Sequence, residues 1–333
     1  MKSNPKVSII IVNYNGFEET INCLKSLVKL DYPNFNVVVI DNGSANNSYE
    51  KIKNFLKHLM LDNKHPIVRL IESKENLGFA GGCNLGIKKA KELGSNYFLL
   101  LNPDTTIEPG FLKKLIGVAV KPESYRAIKA EIKKGKKLGF LGPRIFYEDK
   151  KTIYSNGGFI NKNLTSATLK DHGKTKKGLN NNDPFTTDYI TGTALLLSEK
   201  VLDDIGYMDE DYFLYYEDSD WAVKAREKKY FHAIVPSAII YHKGYHSTEY
   251  LSFNYIYYLM RNGYFLAWKN GNLQQKILVV FYSVYKLTKQ PFKIFLPKKR
   301  KWVKPLIKAT WDFWRGRYGE IKMTKSKCQK IIF

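Results

Sequence analysis

The sequence predicts an α/β fold: a mixed, mostly parallel sheet flanked by helices, with a basic helical extension at its C-terminal end. Three observations predict it. Apolar runs at residues 6–12 (KVSIIIV), 34–44 (NFNVVVIDNGS) and 97–101 (YFLLL) are too short for helices and apolar on both faces, as strands between two helical layers are. Helical periodicity fills the intervals, with Ile21, Leu24, Leu27 and Val28 on one face of the first. Each strand then stops in turn-forming polar residues, and strand, helix, strand in this order opens a doubly wound sheet whose ligands bind at the carboxyl edge.

The first strand ends at Asn13, Tyr14, Asn15 and Gly16, and the second at Asp41, Asn42, Gly43 and Ser44. Two polar strand ends facing one crevice begin to describe a pocket. Asp41 can accept a hydrogen bond from the ring N–H of a uracil or thymine; it can equally serve as an Asx-turn acceptor or a cap for the helix at residues 49–61. A third strand, PIVRLIES, leads to NLGFAGGCNLGIKKAKELG, where Gly78, Gly81, Gly82 and Gly86 lie just before and inside a helix expected over 84–94. Glycines there let a backbone approach a diphosphate and offer it N–H groups. The spacing is neither G-x-G-x-x-G nor a Walker loop, which argues against a dinucleotide dehydrogenase or a P-loop NTPase.

The strand YFLLL is cut off at Asn102 and Pro103, because proline has no N–H for an interior ladder. The chain thus delivers Asp104 to the sheet's carboxyl edge, where a carboxylate suits a hard divalent cation or stands as a plain β-turn residue. Residues 124–137 are lysine-rich and read as a solvated loop or exposed helix. GFLGPRIFY resumes a strand, and 154–182 have the polar, glycine- and asparagine-rich composition of a long loop. Residues 188–197 read as a further strand, with Gly192 at a close approach. Glu217 and Asp218 then open an amphipathic helix, where acids favour the helix dipole but could also place a base near a bound donor. His242 closes the next strand; taken alone, it is a polar or packing residue.

The 333 residues, 44% hydrophobic, suffice for one large domain and an appendage. No window has the length and apolarity of a membrane span, the N-terminal apolar run is too short for a signal peptide, and Cys23, Cys83 and Cys328 form neither a disulfide framework nor a zinc site. A cytosolic protein is expected. The net charge of +23 is uneven: residues 271–333 hold sixteen Lys or Arg against Asp312 and Glu320. No nucleic-acid recognition motif accompanies that charge. An aromatic helix pair is expected over 250–268, broken at Asn262 and Gly263. Beyond it an apolar stretch is interrupted by Lys286, Lys289 and Lys293 and kinked by Pro291, and KKRKW and WDFWRGR mix tryptophan with cations. This reads as interfacial helices on an anionic membrane leaflet; the alternatives are a solvated tail or an arm that pairs two copies into a homo-oligomer.

VSIIIVNYNG, VVVIDNGS, NLGFAGGCNLGI and LLLNPDT, in this order, resemble the N-terminal half of glycosyltransferase family 2, above all its rhamnosyltransferase-like branch of surface-polysaccharide enzymes; the resemblance runs from about residue 6 to 268. It implies a GT-A catalytic domain over 1–250 (nucleotide-sugar half about 1–110, acceptor half about 138–250), followed by the helical region 251–333. It also implies a nucleoside-diphosphate-sugar donor and a divalent metal, Mn2+ or Mg2+. On that pattern Asn13, Asn15 and Asp41 hold the nucleoside, while Asn76, Gly78, Gly81, Asn84 and Asn102 line the donor pocket. Asp104 ligates the metal, and a histidine at the place of His242, with His246 as fallback, completes the site. The family's metal motif is often Asp-x-Asp, and here its first position is Asn102. YFLYYEDSDW resembles the acceptor-side motif whose second acid is the base, which assigns Asp218 as base and Glu217 as its acceptor-orienting neighbour. The implied activity is inverting transfer of a sugar, foremost L-rhamnose from dTDP-L-rhamnose and next from UDP-galactose or UDP-N-acetylglucosamine. The acceptor would be a polyprenyl-linked or growing surface glycan, with the enzyme peripheral on the inner face of the cell membrane. A glycan- or nucleotide-sugar-binding protein without chemistry is the alternative.

Overall fold

The computed structural model describes residues 4–59, 66–163, 166–175, 182–244, 252–294, 296 and 300–321; Leu61, His246 and Cys328 lie outside them. Strands β1 (Val7–Asn13), β2 (Phe35–Asn42), β3 (Ile67–Ser73) and β4 (Tyr97–Leu101) alternate with helices α1 (Phe17–Leu27), α2 (Ser48–Leu59) and α3 (Gly78–Glu92). The four strands run parallel in the order β3-β2-β1-β4. Side chains alternate between the faces. Val7, Ile9 and Ile11 pack with α1 and α2, whereas Ile10, Val38, Phe98 and Leu100 pack with α3. That two-sided burial is why these strands read as unbroken apolar runs.

After β4 the chain turns out of the sheet centre at Pro103. β5 (Thr105–Ile107) pairs instead with the far end of a later strand, and α4 (Phe111–Val120) and α5 (Arg126–Lys133) cover the α1 face. The second half adds β6 (Lys137–Tyr147), the short β7 (Ile153–Ser155), β8 (Gly158–Ile160), β9 (Ala167–Leu169) and β10 (Phe185–Thr187), then β11 (Ala194–Ser198). α6 (Glu199–Ile205), α7 (Glu217–Glu227) and β12 (Tyr230–His242) follow. β11 inserts antiparallel between β4 and β6, and β12 lies parallel to β6 with a bulge that accommodates Pro236. The sheet is thereby mixed, with a parallel first half joined to its second half through one antiparallel strand.

Several expectations need correction. The strand expected over 188–197 occupies only Ala194–Ser198, because 188–193 form the turn that enters it. The expected loop of 154–182 contains the two-stranded ribbon of β8 and β9. The glycine-rich helix begins at Gly78, six residues before Asn84. Residues expected to form a broken helix pair form one continuous helix, α8 (Phe253–Asn270): Asn262 and Gly263 do not break it, since the Asn262 side chain finds acceptors outside the helix. α9 (Leu273–Thr288), opened by a capping box of Asn272 and Gln275, α10 (Gln290–Ile294) and α11 (Val303–Trp314) follow among the described residues. The break between α9 and α10 falls at Lys289, just before Pro291. α8 packs against α11 through buried aromatics, with Tyr257 donating to Asp312 at 2.8 Å.

Two of the α3 glycines serve packing. A Cβ on Gly86 would stand 2.3 Å from Ile10 Cγ2, and one on Gly82 would stand 2.7 Å from Val12 Cγ1. Gly117, in α4, has nothing within 4 Å of its Cβ position. Gly86→Ala should therefore lower the unfolding free energy by about 1–3 kcal/mol through overpacking. Gly117→Ala should raise it by up to about 1 kcal/mol through helix propensity. Urea unfolding of both variants checks the pair, and equal shifts in one direction would contradict it.

Candidate functional site

The crevice is built along the carboxyl ends of β1, β2 and β4. At β1 and β2, Asn13 and Asp41 sit opposite each other in register and both are buried. Asn13 Nδ2 donates to Asp41 Oδ2 at 2.7 Å, while Asn13 Oδ1 accepts from Thr20 Oγ1 and Gly16 N. Both ends of the Asn13 amide are thus committed to protein partners, and the residue acts by fixing Asp41. Ser44 gives Asp41 two more bonds, from its hydroxyl at 2.9 Å and its N–H at 3.1 Å. A carboxylate offers about four acceptor positions, so one lobe of Oδ1 is left for a ring N–H. Asn15 adopts a left-handed φ of 58°; its N–H donates to Ser44 Oγ and its side-chain Oδ1 accepts from Ala45 N, each at 2.9 Å, which ties the ends of β1 and β2 together at the rim of the crevice.

Asn76 and Gly78 meet Asn42, a residue whose importance composition did not reveal. Asn42 Nδ2 donates to Asn76 Oδ1 and the Gly78 carbonyl, and its Oδ1 accepts from Leu77 N. Gly78 has φ 73°, and a Cβ there would lie 2.4 Å from the Phe213 carbonyl oxygen. Glycine is required here by both conformation and space. A Cβ on Gly81 would stand 2.7 Å from Leu77 Cβ. Asn84 is buried and latched: Nδ2 donates to the Met208 carbonyl and Glu210 Oε1, and Oδ1 accepts from Met208 N. It ties α3 to the segment preceding Glu217 and has no free amide for a donor sugar.

At the end of β4, Asn102 N donates to the Thr193 carbonyl at 2.9 Å, and Asp104 follows the proline turn. β5 then pairs with the end of β12, with His242 opposite Thr105. His242 Nε2 lies 3.1 Å from Asp104 Oδ1, both side chains being largely buried. Adjacent ligands around one ion at about 2.1 Å stand about 3 Å apart, so this pair has the spacing of two metal ligands. Asn102 Oδ1 and His242 Nδ1 are buried with no hydrogen-bond partner. The mixed oxygen and imidazole donor set suits Mn2+ better than Mg2+, which takes oxygen ligands. Among the described residues no cluster of three or more His, Cys, Asp or Glu side chains could hold a metal, so these residues supply part of a coordination shell.

Glu217 and Asp218 open α7 on the other wall. Asp218 Oδ2 accepts from Gly192 N at 2.9 Å and Oδ1 from Ser219 Oγ at 3.1 Å. Gly192 precedes Thr193, which receives the Asn102 N–H, so two hydrogen bonds and one peptide link the acid pair to the Asp104 loop. A second chain of contacts runs the same way: Tyr189 lies within electrostatic reach of Asp218 and Tyr154, and the Tyr154 ring meets His242 edge-on at 4.4 Å. Desolvation raises the Asp218 carboxyl above the ordinary carboxylate range, opposed by its N–H and hydroxyl donors. Glu217 is pushed up further, by burial first and then by the Asp218 and Asp220 charges, and its Oε2 has no partner. Cys83 and Tyr212 lie within electrostatic reach of Glu217, and Tyr216 of Asp218. Two adjacent carboxyls with different environments suit different roles, the better hydrogen-bonded one ionising first.

The structure therefore brings together Asp41, Asn76, Gly78, Asn102, Asp104, His242 and Asp218 along one edge, and sets Asn13 and Asn84 behind it as supports. Sequence reasoning gave no role to Asn42, Ser44, Tyr154, Tyr189 or Glu210; the adjacency of Asn42 and Ser44 to Asp41 was the one cue, and the others are far away in the chain. Gly192, expected as a glycine at a close approach, meets the Phe79 ring and also carries the Asp218 contact.

The family profile described as Glycosyl transferase family 2 matches residues 8–206, more than half of the chain. Low-salt glycan biosynthesis hexosyltransferase Agl10 of Haloferax volcanii is 26% identical over 67% of this chain and 62% of its own length. The dTDP-rhamnosyl transferase RfbF of Shigella flexneri is 24% identical over 95% of this chain and 98% of its own. An N-acetylglucosaminyl-diphospho-decaprenol L-rhamnosyltransferase of Mycobacterium tuberculosis is 22% identical over 72% and 76%. Among solved structures, the mannosyltransferase PcManGT from Pyrobaculum calidifontis in complex with GDP-Man and Mn2+ superposes with a TM-score of 0.55 at 14% identity, covering 95% of this chain and 89% of that one. GalNAc-T7 with UDP, GalNAc and Mn2+ superposes with a TM-score of 0.57 at 15% identity, covering 86% and 55%. At these identities the superpositions speak for the fold, which is GT-A. The three strand-end motifs and the glycine-rich helix start, the sheet that aligns them and the matched profile lead to one statement: the chain belongs to glycosyltransferase family 2.

Proposed function

We propose that this protein is an inverting glycosyltransferase in which Asp218 is the base. The observation that carries the reading is the junction of Asp218 with Gly192 and of Thr193 with Asn102, which sets a desolvated carboxyl beside the Asp104 loop. Asp218 takes the proton of an acceptor hydroxyl while that oxygen bonds to the anomeric carbon of the donor, and the nucleoside diphosphate departs from the opposite face. Glu217 keeps its proton and orients the acceptor. Asp41, fixed by Asn13 and Ser44, accepts the ring N–H of the base, and Asn76, Gly78 and Gly81 shape the pocket for the diphosphate sugar. A divalent metal, held by Asp104 and His242, supplies charge neutralisation at the diphosphate when bound. Positioning and electrostatics carry most of the rate enhancement.

Rhamnosyl transfer from dTDP-L-rhamnose is the foremost reading, supported by the activities for which two relatives are named; UDP-galactose and UDP-N-acetylglucosamine follow. The acceptor is a polyprenyl-linked or growing glycan, a reading supported by the decaprenol-linked substrate in one relative's name and by the C-terminal surface. Within α9 only Val279 and Ser283 are buried, while Leu273 is 74% and Phe281 69% exposed; Phe292 on α10 is 74% exposed, and Trp311 on α11 lies outward too. Lys276, Lys286, Lys289 and Lys293 lie among these residues. Apolar side chains at headgroup depth with cations beside them fit an anionic leaflet. No helix among the described residues is long and apolar enough to cross a membrane.

Turnover with a panel of sugar nucleotides tests the assignment. With the productive donor, Asp218→Asn should lose about 100-fold or more in kcat while donor binding persists, whereas Glu217→Gln, isosteric with a protonated glutamate, should stay within about tenfold. Equal donor binding without turnover in both wild type and Asp218→Asn would indicate a binding protein instead. Because the base must be deprotonated and burial raises its pKa, kcat/KM should rise with pH along a limb above the ordinary carboxylate range of about 4. A limb at or below that range contradicts the desolvated base.

Chelation should abolish turnover, and His242→Ala should increase the Mn2+ concentration needed to restore it. Unchanged activity in excess chelator removes the metal from the scheme. The full-length protein should float with phosphatidylglycerol vesicles and not with phosphatidylcholine alone, and Phe281→Glu with Phe292→Glu should abolish flotation. Flotation of that variant equal to wild type removes this face as the docking surface. Substitution is preferable to truncation at residue 270, which would strip Tyr257 of Asp312 and Tyr264 of Phe313.

A further inference from the structure

Just before Glu217 the backbone takes an unusual course. Phe213, Tyr215 and Tyr216 have φ of 61°, 67° and 73°, three bulky residues in the left-handed region within four positions. Such conformations are unfavourable for side chains of this size and persist only where the surroundings fix them. The surroundings here are two consecutive, fully buried residues of α8. Asn262 Nδ2 points at the carbonyls of Tyr212, Leu214 and Tyr215, each at 2.8 Å. Arg261 donates through Nη2 to the carbonyls of Asp211 and Tyr212 and through Nη1 to that of Gly319, while its Nε donates to Asn262 Oδ1 at 2.8 Å. The guanidinium thus orients the amide, and the amide gathers three carbonyls that a relaxed turn would spread.

The opposite side of the loop is held by the donor half. Phe213's carbonyl accepts from Phe79 N at 2.7 Å, and Gly78 leaves room for that contact. Further along α8, Lys269 and Asn270 bond to Asp220 in the first turn of α7, at 2.7 Å each. Helix α7 therefore starts from a segment that cannot relax without moving Glu217 and Asp218. A loop needed only to connect the 3-10 turn of Glu210–Tyr212 with α7 would not require three residues of positive φ, nor a buried cation bonded to backbone oxygens.

We propose that Arg261 and Asn262 are positioning residues for the transfer: they hold residues 213–216 in the strained course that keeps Asp218 against Gly192 at the crevice wall. The inference rests on the reading of Asp218 as the base. Asn262→Leu, similar in volume and without donors, should lower kcat by about 100-fold or more, the scale of loss that a misplacement near 1 Å produces. The donor KM should stay within about threefold. The acid limb of kcat/KM should also move down, as a released Asp218 becomes solvated. Arg261→Lys, which keeps the charge but loses the fork, should show the same pattern in weaker form. Tyr216→Gly adopts the positive φ without strain, though it gives up the packing of Tyr216 on the core; it should lose kcat by freeing the loop, and keeps the test open if Asn262→Leu does not accumulate.

Asp218→Asn is measured alongside. If Asp218→Asn is inactive and the folded α8 and Tyr216 variants retain kcat within about threefold, the positioning role is wrong and the base stands. A fall in kcat with a parallel rise in KM and an unmoved acid limb is general loosening, and overturns the proposal as well. If Asp218→Asn is fully active, the base assignment fails, and the positioning role falls with it.

Discussion

The arrangement depends on one strand running the wrong way. β11 enters antiparallel between β4 and β6, and the turn before it carries Gly192 and Thr193 back to the carboxyl edge of β4. There the Thr193 carbonyl receives the Asn102 N–H and the Gly192 N–H reaches Asp218. A parallel strand at this place would arrive at the opposite edge and leave α7 without an anchor on the donor half. A Cβ on Gly192 would stand 2.7 Å from Phe79 Cε1, so the residue that carries the Asp218 contact must be glycine or push the Phe79 ring aside.

Around that junction the electrostatics follow from burial. Asp218 and Glu217 share one helix start but not one environment. The first has an N–H and a hydroxyl to favour its ionised form, and the second has a carboxyl oxygen with no partner. Desolvation raises both, and the difference in donors separates them. At the other end, Asp104 and His242 come from segments that meet only because Pro103 expels the chain from the sheet centre and β5 pairs with the end of β12. The same proline that ends β4 thus creates the juxtaposition.

The C-terminal helices divide into two kinds of surface. The inner side of α8 is part of the site's scaffold: Tyr258 and Tyr264 are buried, Leu266 joins the core beneath α7, and Arg261 and Asn262 reach the acid motif. The outer side of α9 and α10 leaves large apolar residues uncovered beside lysines. A sequence window sees both as aromatic and basic. Only the packing separates scaffold from exposed face.

What the sequence determined by itself is everything carried by local periodicity and local stops. Strands β1, β2 and β4, their polar ends, the helices between them, and the places of Asp41, Asp104 and Asp218 at element ends all follow from patterns of a dozen residues. The family likeness rests on those same stretches. Tertiary structure decided whatever needed a partner distant in the chain. It made Asn13 and Asn84 supports and turned Gly82 and Gly86 into packing contacts on Ile10 and Val12. It also kept Asn262 inside a continuous helix, where a local reading sees a break, because three carbonyls 47 to 50 positions earlier accept from its amide. The physical reason is the reach of each cue. Propensity and hydrophobic period are properties of neighbours along the chain, whereas a hydrogen bond or a missing Cβ is defined by what the completed fold places opposite.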